Sequence, residues 1–234
     1  MTAVPITTLS LDAGGVLVFP NWTRVSDALA LQGVDVAPQV LAAADPRAKR
    51  RLDLATTMRG TSDHQRGWTY FNLVLTEAGI PLDDRTGAAL DALHAYHAQH
   101  NLWETVPDDV RPALARLRGL GLRMIVTSNA NGTLHAKLDR LALRAYFDTV
   151  IDSHLEGVEK PDPRIFEIAL ARSGATAASS LHVGDLYHVD VVGARRASMR
   201  PVLLDPHGLY SDADCARVAS LDELADGLST GRFD

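Results

Sequence analysis

Five polar residues stand where short apolar runs stop or just beyond them: Asp12, Ser128, Lys160, Asp185 and Asp190. Together they supply carboxylates, a hydroxyl and an ammonium, the groups that hold and polarise a charged ligand. A single Asp after an apolar run is commonly a turn or cap residue, but an ordered set in matching contexts is a much more specific signal. Lys160 is one of three lysines, with Lys49 and Lys137, so a role that needs an ammonium has few candidates. Lys49 sits in the basic run Arg47-Ala-Lys-Arg-Arg51, which reads as a solvated face. His64, Arg66, Trp68, Tyr70, His94, His97 and His100 are further polar or aromatic candidates, expected mostly to decorate a helix face or a core edge. His188 lies between Asp185 and Asp190 and is the titratable candidate to stand in there as a general acid or base.

The runs that carry the set are Ile6–Leu11, Leu122–Thr127, Phe147–Ile151 and Ser180–Val183, with Arg200–Leu204 as a fifth. Ile6–Leu11 is short and rich in β-branched and apolar residues, and the other short runs stop at polar residues or glycines in the same way, which predicts buried strands. Between them lie helical patterns over Asp108–Leu120, from Leu134 to Leu141, over Pro163–Ser173 and over Val189–Met199. This alternation from residue 106 onward predicts an α/β fold, a doubly wound parallel sheet of Rossmann-like type with helices on both faces. Ligands in such a sheet bind beyond the carboxyl ends of the strands, near the point where strand order reverses, which is where the polar set falls. Residues 19–105 have helical apolar spacing and no convincing strand, so they read as an all-helical insertion in a core formed by residues 1–18 and 106–234. Ser128-Asn129 is expected to cap the helix that begins near Leu134, and Asp190 is a candidate cap for the helix that follows it.

The chain has 234 residues, a formal net charge of −6, 46 % hydrophobic and 22 % charged residues. These are values of an ordinary globular protein and exclude a disordered or collagen-like chain. A mildly acidic balance gives no footprint for nucleic acid. No apolar run approaches the ~20 residues of a membrane span, and the first residues lack the basic region of a secretory signal. With a single cysteine, Cys215, the expected compartment is a reducing cytoplasm. The expected state is a monomer or homodimer.

The set resembles the haloacid dehalogenase superfamily of hydrolases, in the subclass with a helical cap. The resemblance rests on Asp12-Ala-Gly-Gly-Val-Leu17, Thr127-Ser128-Asn129, Lys160-Pro161-Asp162-Pro163 and Gly184-Asp-Leu-Tyr-His-Val-Asp190, followed by Val192-Gly193-Ala194. It implies a Mg²⁺-dependent phosphatase of small phosphorylated molecules. Asp12 would be the nucleophile, forming an aspartyl-phosphate. Mg²⁺ would be held by Asp12, the Gly14 carbonyl and Asp185, with Asp190 holding a metal-bound water or Lys160. Lys160 would neutralise the carboxylates and the transferring group, while Ser128 and Asn129 would hold substrate oxygens.

One position departs from the family pattern. Most phosphatases of this family carry a second Asp two residues after the nucleophile, as general acid and base; here that residue is Gly14. Such a group is worth about 10²–10⁴-fold, so reduced turnover is expected, and a nearly inactive relative that binds phosphate and metal is the alternative. The dehalogenase branch is disfavoured, because the chain retains Gly184-Asp185. A phosphonate-cleaving branch would need a cap lysine, for which only Lys49 is placed.

Overall fold

A computed structural model describes residues 4–54 and 63–234, residues 63 and 64 by their backbone alone. The chain divides into two units, residues 1–19 with 106–234 and residues 20–105.

Strands β1 (Thr8–Leu11), β4 (Arg123–Ser128), β5 (Thr149–Asp152), β6 (Ser180–Gly184), β7 (Arg200–Leu204) and β8 (Ala216–Val218) form one sheet. Two shorter strands, β2 (Phe19–Pro20) and β3 (Trp103–Thr105), pair separately. The six-stranded sheet has the order β5-β4-β1-β6-β7-β8, and every pair is parallel. The chain winds outward from β1 through β4 to β5, then restarts on the other side of β1 with β6. Strand order therefore reverses beside β1, and the crevice at that switch point opens above the ends of β1, β4 and β6. Strand β8 and the helix Leu221–Ser229, which Ser220 caps, lie beyond the elements legible from spacing alone.

Local chemistry accounts for the helices that flank the site. Asp162 accepts the Arg164 N–H, Pro163 occupies the first turn, and Gly174 ends the helix Pro163–Ser173 in the left-handed conformation at φ 65°. Ile165, Phe166, Ala169 and Leu170 form its buried face and pack with Ile125 of β4, Ile151 of β5 and Ala194. Burying a side chain such as Phe166 contributes about 2–3 kcal/mol.

The second unit contains the helices Trp22–Ala30, Pro38–Leu52, Asp63–Glu77 and Asp84–His100. Its core joins Val25, Leu29, Leu41, Phe71, Leu75, Leu90 and Leu93 among others. Asp83 and Thr86 form a reciprocal capping box at the start of Asp84–His100. The strand-free reading of residues 19–105 is corrected by β2 at the start of that stretch and β3 at its end, which pair with each other.

Candidate active site

Asp12 leaves the end of β1, and its backbone N–H donates to the Val183 carbonyl of β6 at 2.8 Å. The chain then turns tightly: the N–H groups of Leu17 and Val18 both return to the Ala13 carbonyl at 2.9 Å. Gly15, at φ 76°, takes the left-handed conformation in this turn; Gly14 is not among the positive-φ glycines.

Lys160 is wholly buried and stands between two carboxylates. Its Nζ donates to Asp190 Oδ1 at 2.6 Å and lies 2.9 Å from Asp12 Oδ1. The contact with Asp12 is at ion-pair distance but out of hydrogen-bond alignment, so Asp12 Oδ1 is a buried oxygen with no hydrogen bond from a described residue. Burial opposes the Lys160 charge, but Asp12 and Asp190 overcome it and hold the ammonium above the ordinary lysine value. Burial would likewise raise Asp190, yet Lys160 and the His182 hydrogen bond hold its carboxylate far below the usual range. Asp12 is left undercompensated. Burial pushes its carboxyl up and the Asp190 charge adds to this, while Lys160 and Ser128 pull the other way. Two carboxylates share one ammonium, and the shorter, aligned bond goes to Asp190.

Asp185 follows β6, and one ligand atom each from Asp12, Asp185 and Asp190 lie within 4.8 Å of one another. Hard oxygen donors, an excess of negative charge and the undercompensated Asp12 Oδ1 fit a small divalent cation such as Mg²⁺. Within this cluster Asp190 already engages both oxygens, Oδ1 with Lys160 and His182 and Oδ2 with the Leu186 N–H at 3.1 Å. Its carboxylate lies against Gly184: a Cβ added there would occupy the space of the Asp190 carboxyl carbon. The Gly-Asp-x-x-x-x-Asp spacing thus has a packing reason. Asp190 is not a helix cap; it sits in a π-helical turn, Tyr187–Val191, whose wider winding carries its carboxylate back toward the strand. Gly193 serves the same region, since a Cβ there would press on the Phe166 ring and on Pro161.

Ser128 ends β4 and is 4 % exposed. The expected cap role for Ser128-Asn129 does not hold. The helix Leu134–Arg140 is preceded by Thr133, whose side chain makes no capping bond. Its first N–H, on Leu134, is met from β5 by Asp152, which also accepts the N–H of Gly132 before the helix and that of His154 after β5, at 3.0–3.2 Å. Asn129 instead joins two loops: its Nδ2 donates to the Lys160 carbonyl at 3.0 Å and its Oδ1 accepts the Lys160 N–H at 2.7 Å. The Asn129 amide that was expected on substrate thus holds the Lys160 backbone.

Two residues near the cluster escaped sequence reasoning. His182, inside β6, donates from Nε2 to Asp190 Oδ1 at 3.1 Å. The only sign of it in the sequence is a histidine in the middle of an apolar run. Lys137 is 4 % exposed on the buried face of its helix, and burial pushes its ammonium down to about 8, against the pull of Asp12 and Asp152. His188, by contrast, stacks edge-on to Tyr187 with ring centroids 5.4 Å apart.

Several of the candidates in residues 20–105 have partners within that unit. His94 packs on Trp68 at 4.2 Å, His100 on Tyr96 at 4.9 Å, and His97 Nδ1 accepts the Leu102 N–H. Tyr70 donates to Asp45 at 2.6 Å, and Arg66 is buried. Lys49 turns inward to Asp45 at 3.5 Å, unlike the solvated face expected of its run. The His64 side chain lies outside the described residues.

A family model described as haloacid dehalogenase-like hydrolase matches residues 6–198. The chain is 31 % identical over 178 residues to a ribulose-1,5-bisphosphate 5-phosphatase of Halopiger xanaduensis, covering 75 % of this chain and 73 % of that protein. It is 35 % identical over 154 residues to a glyceraldehyde 3-phosphate phosphatase of Methanopyrus kandleri, covering 65 % of this chain and 64 % of that protein. The solved 2-haloacid dehalogenase of Pseudomonas syringae pv. Tomato DC3000 superposes with a TM-score of 0.59 at 25 % identity, covering 97 % of this chain and 99 % of that one. The fold is thus shared by proteins named for different chemistries, and the residues at the strand ends must discriminate between them.

Proposed function

This chain belongs to the haloacid dehalogenase-like hydrolases, and from that premise we propose that it is a Mg²⁺-dependent phosphatase of a small phosphorylated molecule. The observation that carries the reading is the buried Lys160 ammonium between Asp12 and Asp190, 2.9 and 2.6 Å away, with Asp185 beside them. An ammonium against a nucleophilic carboxylate lets an anionic phosphoryl group approach it. The retained Gly184-Asp185 and the two phosphatase relatives support this branch over dehalogenation.

In this reading an Asp12 carboxylate oxygen attacks phosphorus, the bond to the leaving oxygen breaks, and water then hydrolyses the aspartyl-phosphate. Lys160 stabilises charge on the transferring group, and Ser128 at the end of β4 donates to a phosphoryl oxygen. Mg²⁺, held by Asp12, the Gly14 carbonyl and Asp185 with Asp190 behind them, would offset the charge of the phosphate dianion. Asn129 contributes by holding the Lys160 backbone. The helical insertion is assigned the part of a cap, as the resemblance implies. Gly14 has no side chain to protonate the leaving oxygen, so turnover is slow with poor leaving groups.

The test is a panel of phosphorylated metabolites with Mg²⁺, run beside Asp12→Asn. Activity in the wild type that the Asp12→Asn substitution abolishes supports the reading; undiminished turnover in the purified variant rejects it. Gly14 favours a second reading, a relative that binds phosphate without turnover. Saturable phosphate binding with no hydrolysis of any panel member selects it.

A further inference from the structure

A line of buried polar side chains crosses the centre of the sheet where three apolar residues would be ordinary. Thr127 of β4, Ser10 of β1 and His182 of β6 are each 0 % exposed. Ser10 Oγ lies 3.1 Å from Thr127 Oγ1 and 3.0 Å from His182 Nδ1. Ser10 and His182 are register partners across β1 and β6. The far ring nitrogen, Nε2, is 3.1 Å from Asp190 Oδ1, the same oxygen that takes the Lys160 ammonium. The Phe166 ring meets the imidazole edge-on, with centroids 4.9 Å apart at 81°.

Buried polar groups of this kind are costly unless they find partners, and here each ring nitrogen has a polar atom within hydrogen-bond distance. An ionised Asp190 can only accept, so Nε2 carries the proton. Burial keeps the imidazole neutral. Nδ1 is then the acceptor that faces the Ser10 hydroxyl at 3.0 Å; the single proton of that hydroxyl serves either this nitrogen or Thr127 Oγ1, 3.1 Å away, and the contact sets the ring angle. The ring in turn fixes which Asp190 oxygen faces Lys160. We propose that His182 is a positioning residue: backed by Ser10 and Thr127, it orients Asp190 so that the Lys160 ammonium is held against Asp12. The inference rests on the phosphatase reading for its kinetic consequence, but not for its structural one.

The chain has three lysines, so lysine labelled with ¹³C at Cε gives three side-chain NMR signals in the full-length protein. Lys160→Met identifies one of them by its loss. In His182→Leu, the Lys160 signal should move while those of Lys49 and Lys137 stay. With p-nitrophenyl phosphate, kcat should fall by about 10- to 100-fold, the range of lost outer-shell partners at metal sites, and KM should change less than about 2-fold, as for a loss felt mainly in the transition state. His182→Gln, whose amide nitrogen reaches the place of Nε2, should recover most of kcat. In a Lys160→Met background, His182→Leu should cost nothing further. An unmoved Lys160 signal in folded His182→Leu overturns the proposal, as does an equal loss with and without Lys160. If His182→Leu does not fold, Ser10→Ala serves: it removes the contact that sets the ring angle while leaving His182 in place, so Asp190 should turn and the Lys160 signal move, and a stationary signal in it is equally fatal. Should the chain hydrolyse no phosphate ester, the NMR result still decides on His182, and the failure belongs to the functional reading alone.

Discussion

Gly14 stands where the proposed mechanism lacks an acid and base. Its backbone avoids the left-handed region that Gly15 occupies, so a side chain there meets no conformational penalty of that kind. Gly14→Asp is expected to raise kcat/KM for aryl phosphates, most for poor leaving groups, with a ceiling of about 10²–10⁴-fold. A series of aryl phosphates of graded leaving-group pKa checks this; a folded variant with unchanged leaving-group dependence counts against an empty acid position. Lys137 gives a second prediction, this one for stability. Burial pushes its pKa down from 10.5 to about 8, so the unfolded chain binds the extra proton between those values. Stability should therefore rise as pH climbs from about 8 to about 10.5. Below that window the protein carries the cost of a buried ammonium, about 3 kcal/mol at 1.36 kcal/mol per unit. Lys137→Met should be more stable than wild type by about that amount at pH 7 and should lose the pH dependence, by urea unfolding at pH 7 and pH 10.

Among the secondary structures, the ends of β4, β5 and β6 do the positioning. Asp152 at the end of β5 takes the N–H groups of Gly132 and Leu134 from the segment that follows β4, so Ser128 is presented by a loop fastened from its neighbour strand. At β6 the device is a missing side chain. Because the Asp190 carboxylate occupies the space of a Gly184 Cβ, Gly184→Ala should displace it and uncouple Lys160. We expect kcat to fall by about 10-fold or more, in keeping with disturbed outer-shell support, with circular dichroism unchanged. Wild-type kcat in that variant would show that Asp190 tolerates a shift.

Over the whole chain, charge bears on the proposed metal. A net charge of −6 with three clustered carboxylates favours a cation in the folded state. Mg²⁺ at about 100 times its Kd should stabilise the fold by about 2.7 kcal/mol, which raises Tm by about 5–10 °C for a domain of this size. Asp185→Ala should abolish the rise, and an equal rise in that variant would remove Asp185 from the metal set. No helix among the described residues is long and apolar enough to cross a membrane.

Strand ends with Asp12, Ser128 and Asp185, the loop with Lys160, the parallel α/β fold and the Pro163–Ser173 helix were legible in the order of residues, because short apolar runs, caps and glycine stops are local signals. Spacing could not show how those groups share charge. The preference of Lys160 for Asp190 over Asp12, the turning of Asn129 onto the Lys160 backbone and the capping of the β4 loop by Asp152 all join residues at least 18 positions apart. His182 is the clearest case. In sequence it is one polar residue in an apolar strand; beside Ser10 and beneath Asp190 it has a polar atom within hydrogen-bond distance of each nitrogen. Parallel strands bring such residues together through crossovers tens of residues long, and hydrogen-bond geometry exists only after that closure.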